Sequence, residues 1–130
     1  EACLNAALKY APERRIFGQK ESELQMVKQM IADMVVSIET ARLLVYRLGH
    51  LLDANVGRVT SIASMTKLYA SEVATKAALD AIQLHGGCGF TDEFPVGRYL
   101  LEAKALEVGE GNNQLHRDIL ADWAFGVRDY

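Results

Sequence analysis

Residues 22–57 read SELQMVKQMIADMVVSIETARLLVYRLGHLLDANVG. Apolar side chains fall at Val27, Ile31, Met34, Ile38, Ala41, Val45, Leu48 and Leu52, with steps that alternate four and three. That spacing draws one stripe down a helix of roughly 30 residues. A strand would scatter the same residues over both faces of a sheet, because its side chains alternate with period two. Ser22 with Gln25 has the spacing of a capping box, and Asp53-Ala54-Asn55-Val56-Gly57 is a stop signal.

Working outward, a second long helix is expected from about Arg58 to His85. It carries Ala63, Ala70, Ala74, Ala77 and Ala81, small enough to let a neighbouring helix come close. Gly86 and Gly87 end it, since glycine tolerates the left-handed backbone after a helix. CGFTDEF (88–94) reads as a loop, Pro95 suits a first helical turn, and 96–107 form a short helix. Asn112 or Asn113 then caps a last helix through Trp123. Trp123 and the methionines sit at core spacing. With an opening helix in EACLNAALKYA (1–11), the expected fold is all-α. It is an antiparallel four-helix-type bundle, dominated by two long central helices at approximately 22–55 and 58–86. The chain opens at Glu1 inside an apolar helical pattern, which reads as a piece of something longer.

Composition narrows the function. At 130 residues there is room for one domain with a real core. The net charge is −3 with dispersed basic residues, which gives no electrostatic case for nucleic acid. Cys3 and Cys88 make neither a disulfide framework nor a metal site. No run approaches the roughly 20 apolar residues of a membrane span, and no signal-peptide pattern opens the chain. A soluble intracellular protein is expected, cytoplasmic, or in the mitochondrial matrix of a eukaryote. A di-iron bundle needs Glu-x-x-His pairs, but Arg47, Ile82 and Asn113 stand three residues before the three histidines. No metal is expected. GGCGF (86–90) closes a helix instead of opening one after a strand, so it is not a dinucleotide fingerprint. Cys88 reads as a bystander thiol.

Glu110, between Gly109 and Gly111, is the residue that stands out. One reading is a solvated acid near a helix N-terminus, where negative charge stabilises by about 0.3–1 kcal/mol. The other is a candidate base. Flanking glycines let the backbone turn sharply and leave space for a ligand, while free N–H groups of the next helix can receive an anion.

Several motifs occur together in a fixed order: YAPERRIFG (10–18), Gln25, AIQLHGGCGF (81–90), FPVGR (94–98) and GEGNNQLHR (109–117). Lys67 in ASMTKLYASEVA (63–74) accompanies them. Together they resemble the C-terminal helical domain of the acyl-CoA dehydrogenase family, over essentially all 130 residues. The resemblance implies a flavoenzyme with FAD as cofactor, whose N-terminal α-domain and middle β-domain would precede Glu1. By position, Glu110 matches the catalytic base that removes the α-proton of an acyl thioester while the β-hydrogen leaves as hydride to the flavin. A carboxylate desolvated by its substrate is a stronger base toward such a weak carbon acid. Arg14, Phe17, Gln25 and the stretch Gln83, Leu84, His85, Gly86 and Gly87 match contacts to the FAD of a neighbouring subunit. Asn112 and Gln114 match contacts to the FAD of the subunit's own site. Further implied partners are copies of the same chain, in a dimer or tetramer, and an electron acceptor such as electron-transferring flavoprotein.

The sequence departs from the family pattern at four places. Asn112 stands for a usual Thr, Gly109 for a common aromatic, His116 for a commoner Gln, and Leu101-Glu102 for Arg-Asp. Each candidate residue also has a plain reading: Gln25 completes a capping box, Gly86 and Gly87 merely end a helix, and Arg14 makes a surface ion pair. Two alternatives stay open, a related flavoenzyme acting on carrier-protein-bound acyl groups and a helical assembly module with an idle Glu110.

Overall fold

A computed structural model describes residues 1–127 and shows an all-α bundle. The helices are α1 (Ala2–Tyr10), α2 (Gln25–Asp53), α3 (Thr60–His85), α4 (Val96–Val108) and α5 (Asn113–Ala124). Between α1 and α2, strands β1 (Arg15–Ile16) and β2 (Gln19–Lys20) pair antiparallel in a two-residue hairpin that period-two reading did not anticipate. A 3-10 turn over Glu21–Glu23 leads into α2, and another over Gly86–Phe90 follows α3.

The first expected boundary moves. α2 begins at Gln25 with Leu24 in extended backbone ahead of it, and Ser22 does not cap it. The Ser22 N–H instead donates to the Ala11 carbonyl at 3.1 Å, and the carboxylate of Glu23 accepts from the Lys20 N–H at 3.3 Å. At the other end the stop signal works as expected. Asn55 and Gly57 take positive φ, conformations that Asn and Gly tolerate better than most residues.

α3 is the axis of the fold and packs against each of the other four helices. Its small residues explain how: Ala77, Ala78 and Ala81 are buried together with Met34, Ile38, Val96 and Ala103. Helix axes approach to about 8–10 Å, and the closer packings need small side chains at the crossing. A second apolar cluster of Ala7, Ala11, Val27 and Leu84 joins α1 to the start of α2 and the end of α3.

The α2 stripe divides in two. Val27, Met34, Ile38 and Ala41 are buried, whereas Val45 and Leu52 are exposed. Toward the C-terminus the half-buried residues are Leu44, Leu48 and Leu51, because a helix of 3.6 residues per turn drifts off a strict four-and-three repeat. Trp123 is also exposed, contrary to its core spacing, since the last turns of α5 have too little around them to bury a ring. Pro95 stands at the N-cap of α4, and 86–90 form a 3-10 turn where a plain loop was expected. Where the family pattern has Arg-Asp, Glu102 pairs with Arg98 at 3.4 Å, one helical turn back. Among the described residues no helix is long and apolar enough to cross a membrane.

Candidate functional site

The candidate base lies on the short connection between α4 and α5. The Gly109 N–H closes α4 by donating to the Ala105 carbonyl at 2.8 Å, and Gly109 itself is extended. Glu110 and Gly111 then both enter the left-handed region, with φ of 55° and 86°. Two such residues in succession bend the chain sharply between the helices. The side chain of Asn112 caps α5, its carboxamide oxygen accepting from the Leu115 N–H at 2.8 Å. Of the two asparagines expected as caps, Asn112 is the one that serves.

Left-handed backbone costs an L residue about 1–2 kcal/mol. Among the described residues three that are not glycine adopt it: Phe17, Asn55 and Glu110. Asn55 is of a type that often does so at turns. Phe17 and Glu110 are not, and both are candidate site residues on the sequence pattern. The bend at Glu110 is held from behind, where the ring of His116 lies 3.3 Å from the Glu110 carbonyl through Nε2. Gly111 cannot carry a side chain without a shift, since a Cβ there would sit 3.2 Å from that same Nε2. Glu110 is exposed.

Both ends of this connection are fastened to α3. Lys67 Nζ donates to the Glu107 carbonyl at 3.2 Å and to Asn113 Oδ1 at 2.8 Å. Ser71 donates to the same Oδ1 at 3.1 Å. Arg117, which reaches the Asn113 carbonyl at 3.4 Å, also pairs with Glu72 of α3.

The second group of candidates gathers at the far end of α3. Arg14 Nη1 donates to the Tyr10 hydroxyl at 2.6 Å and to the His85 carbonyl at 3.2 Å. Its Nε lies 4.0 Å from the buried carboxylate of Glu21. The Tyr10 hydroxyl, and then its electrostatic pull, raise the Arg14 pKa, so the guanidinium stays charged. Burial pushes the Tyr10 phenol up as well. The His85 ring is stacked on Tyr10 at 4.1 Å, meets Phe94 edge-on at 5.3 Å, and lies 2.7 Å from the Ala81 carbonyl through Nδ1. Gly86, at φ 57°, turns the chain away in front of the guanidinium.

The candidate positions differ in what they present. Leu84 and His85 have buried side chains, so only their backbone could meet a ligand. Gln83 and Gln25 are exposed, and Gln25 opens α2. Phe17 stands at the hairpin tip, 88% exposed. Arg14 keeps its Nη2 uncommitted among the described residues, against Gly86 and next to the open backbone of Gly87. A planar cation with a spare donor next to unobstructed glycine backbone fits the pyrophosphate of a dinucleotide such as FAD.

Gln114 and Asn112 are exposed at the start of α5, beside Glu110 and away from Arg14. His85 lies eighteen residues beyond Lys67 on α3, about 27 Å along the axis at a rise of about 1.5 Å per residue. One chain therefore offers two separate surfaces. Tyr10 and Asn113 were missed as members of these surfaces. Tyr10 ends α1, and the turn after it brings Arg14 back, the Arg14 N–H donating to the Tyr10 carbonyl at 3.1 Å, so no helical spacing flagged the pair. Among the described residues no cluster of three His, Cys, Asp or Glu side chains could hold a metal ion.

Comparison with known proteins bears on the same residues. The family model for "Acyl-CoA dehydrogenase, C-terminal domain" matches residues 1–125. A probable acyl-CoA dehydrogenase of Bacillus subtilis, YngJ, is 43% identical over 121 residues, which is 93% of this chain and 32% of YngJ. The structure of butyryl-CoA dehydrogenase from Megasphaera elsdenii superposes with a TM-score of 0.90 at 31% identity, covering 95% of this chain and 32% of that one. A FAD complex of PigA superposes with a TM-score of 0.89 at 31% identity, covering 98% and 33%. The chain thus spans about a third of the length of the relatives it matches.

Proposed function

Because this chain belongs to the acyl-CoA dehydrogenase family, as its C-terminal domain, we propose that it supplies the base in FAD-dependent α,β-dehydrogenation of an acyl-CoA thioester. The observation that carries this reading is Glu110. A charged, exposed residue is held in left-handed backbone on a glycine-flanked turn that is fastened at both ends.

The chemistry asked of Glu110 is removal of one α-proton from the thioester by its carboxylate. FAD, when bound, accepts the β-hydrogen with its electron pair, and the product is the α,β-enoyl thioester. The turn serves this step by placing Glu110 on the exposed connection between α4 and α5, where a thioester can reach it. Gly109 leaves room for the thioester where the family commonly has an aromatic ring. The general-base contribution of such a group is about 10²–10⁴-fold in rate.

Arg14, Phe17, Gln25 and the backbone of Gln83–Gly87 form, on this reading, one part of a flavin site, and Asn112 and Gln114 belong to another. The distance along α3 supports assigning the two surfaces to two different flavins, as in a homo-oligomer of two or four chains. The rest of each flavin site would come from further domains of a longer protein. Electrons would leave through an acceptor of the electron-transferring flavoprotein class.

The test is anaerobic mixing of the full-length flavoprotein with a series of acyl-CoA esters, followed by the loss of oxidised flavin absorbance. Bleaching by the parent and its near-loss in Glu110→Gln, with flavin content kept, supports the reading. Equal bleaching by both proteins refutes it.

A further inference from the structure

Lys67 reaches across from α3 to two different helix ends. Its ammonium donates to the carbonyl of Glu107, in the last turn of α4, and to the side chain of Asn113, the first residue of α5. Between those two anchors lie only Val108, Gly109, Glu110, Gly111 and Asn112. We infer that Lys67 is a positioning residue for Glu110, setting the separation of the two helix ends and thereby the place of the carboxylate. This rests on the proposed role of Glu110 as base.

The chemistry at the anchor is well defined. An ammonium has donors and no acceptor, so the Asn113 carboxamide must present its oxygen, not its nitrogen, to Lys67. Ser71 donates to that same oxygen at 3.1 Å and fixes the amide plane against α3. Asn113 is buried, and its nitrogen has no partner among the described residues, so the amide is held entirely through its oxygen. On the α4 side the ammonium meets a carbonyl at a helix C-terminus, where a positive charge complements the helix dipole.

The turn needs such a clamp. Glu110 and Gly111 occupy left-handed backbone, and a glycine-rich connection lowers its energy by relaxing when its ends can move apart. Neutral packing would not hold two helix ends at one distance as a hydrogen-bonded cation does. A base displaced by about 1 Å can lose about 10²-fold in rate.

The experiment uses the full-length flavoprotein and the rate of flavin reduction by an acyl-CoA ester. Lys67→Met, which keeps the stem and removes the donors, should lower that rate by about 10–100-fold, while flavin content and substrate Kd change by less than about threefold. In the Glu110→Gln background the same change should cost less than about threefold, because nothing remains to be positioned. Lys28→Met, which removes an exposed lysine of α2 that takes no part in the clamp, should leave the parent rate. If Lys67→Met does not fold, Asn113→Ala carries the same prediction. Full activity in Lys67→Met, or an equal further loss in the Glu110→Gln background, overturns the assignment of Lys67. If Glu110→Gln itself reduces flavin at the parent rate, the proposed base has failed and the positioning role falls with it.

Discussion

Lys67 and Asn113 are 46 residues apart in sequence, yet Lys67 Nζ donates to Asn113 Oδ1 at 2.8 Å. That contact ties α5 to the first third of α3, the helix that packs against the other four, and the turn bearing Glu110 hangs from it.

Gly111→Ala should damage both stability and turnover. Alanine at φ 86° is strained, and its Cβ would sit 3.2 Å from His116 Nε2. A loss of about 1–2 kcal/mol is expected in urea unfolding. Flavin reduction in the full-length protein should fall by more than the stability loss explains, since the bend itself changes.

Arg14→Ala should weaken FAD retention and leave Glu110 chemistry intact in whatever fraction remains loaded. Removing a charge-assisted contact costs about 1.5–3 kcal/mol, or about 10–100-fold in Kd. The ratio of flavin to protein absorbance after dialysis reads this directly. Arg14→Lys should not restore it, because a single ammonium cannot bridge Tyr10 and His85 while keeping a donor for the cofactor.

Acid should loosen the end of α4. The ammonium of Lys104, 2.5 Å away, holds the Glu107 carboxyl below the usual carboxylate range. A depressed folded pKa means stability that is present above the unfolded value and lost as pH falls through the folded one. Urea midpoints measured from pH 6 down to pH 3 should therefore drop more steeply for the parent than for Lys104→Met. The difference should be small, because Lys104 is exposed.

The outer face of α2 should carry an interface in the full-length protein. Val36, Leu43 and Tyr46 are 66%, 67% and 63% exposed and share one side of the helix at steps of seven and three. Exposed apolar side chains at helical spacing suit association of like chains. Leu43→Glu should shift the mass measured by light scattering toward smaller assemblies without loss of helicity.

Most of the bundle was legible in the sequence, and the reasons are local. The four-and-three spacing from Val27 to Ala41 specifies one buried face, and the Asn55–Gly57 and Gly86 breaks need backbone that few other residues adopt. What the pattern misjudged depends on neighbours. Val45 and Leu52 keep the period of a core, but the covered face has drifted to Leu44 and Leu51 by that point, and Trp123 lies on the sparsely covered last turns of α5. Ser22 has the right spacing for a cap, yet it lies inside the 3-10 turn and its N–H is taken by the Ala11 carbonyl at the end of α1. At the candidate site, the glycines on either side of Glu110 announced a bend. The clamp that sets it, Lys67 with Ser71 and Asn113, joins residues more than forty positions apart and has no local signature.

The most direct measurement is α-proton exchange, isolated from hydride transfer. An acyl-CoA with no hydrogen on its β-carbon, such as a 3,3-dimethylbutyryl ester, can lose an α-proton but cannot be dehydrogenated. Incubated in heavy water with the full-length flavoprotein, it should gain deuterium at the α-carbon, as read by mass spectrometry. Glu110→Gln should bind the ester comparably and lower the exchange rate by about 10²-fold or more. Exchange at the parent rate in Glu110→Gln would show that another group takes the proton.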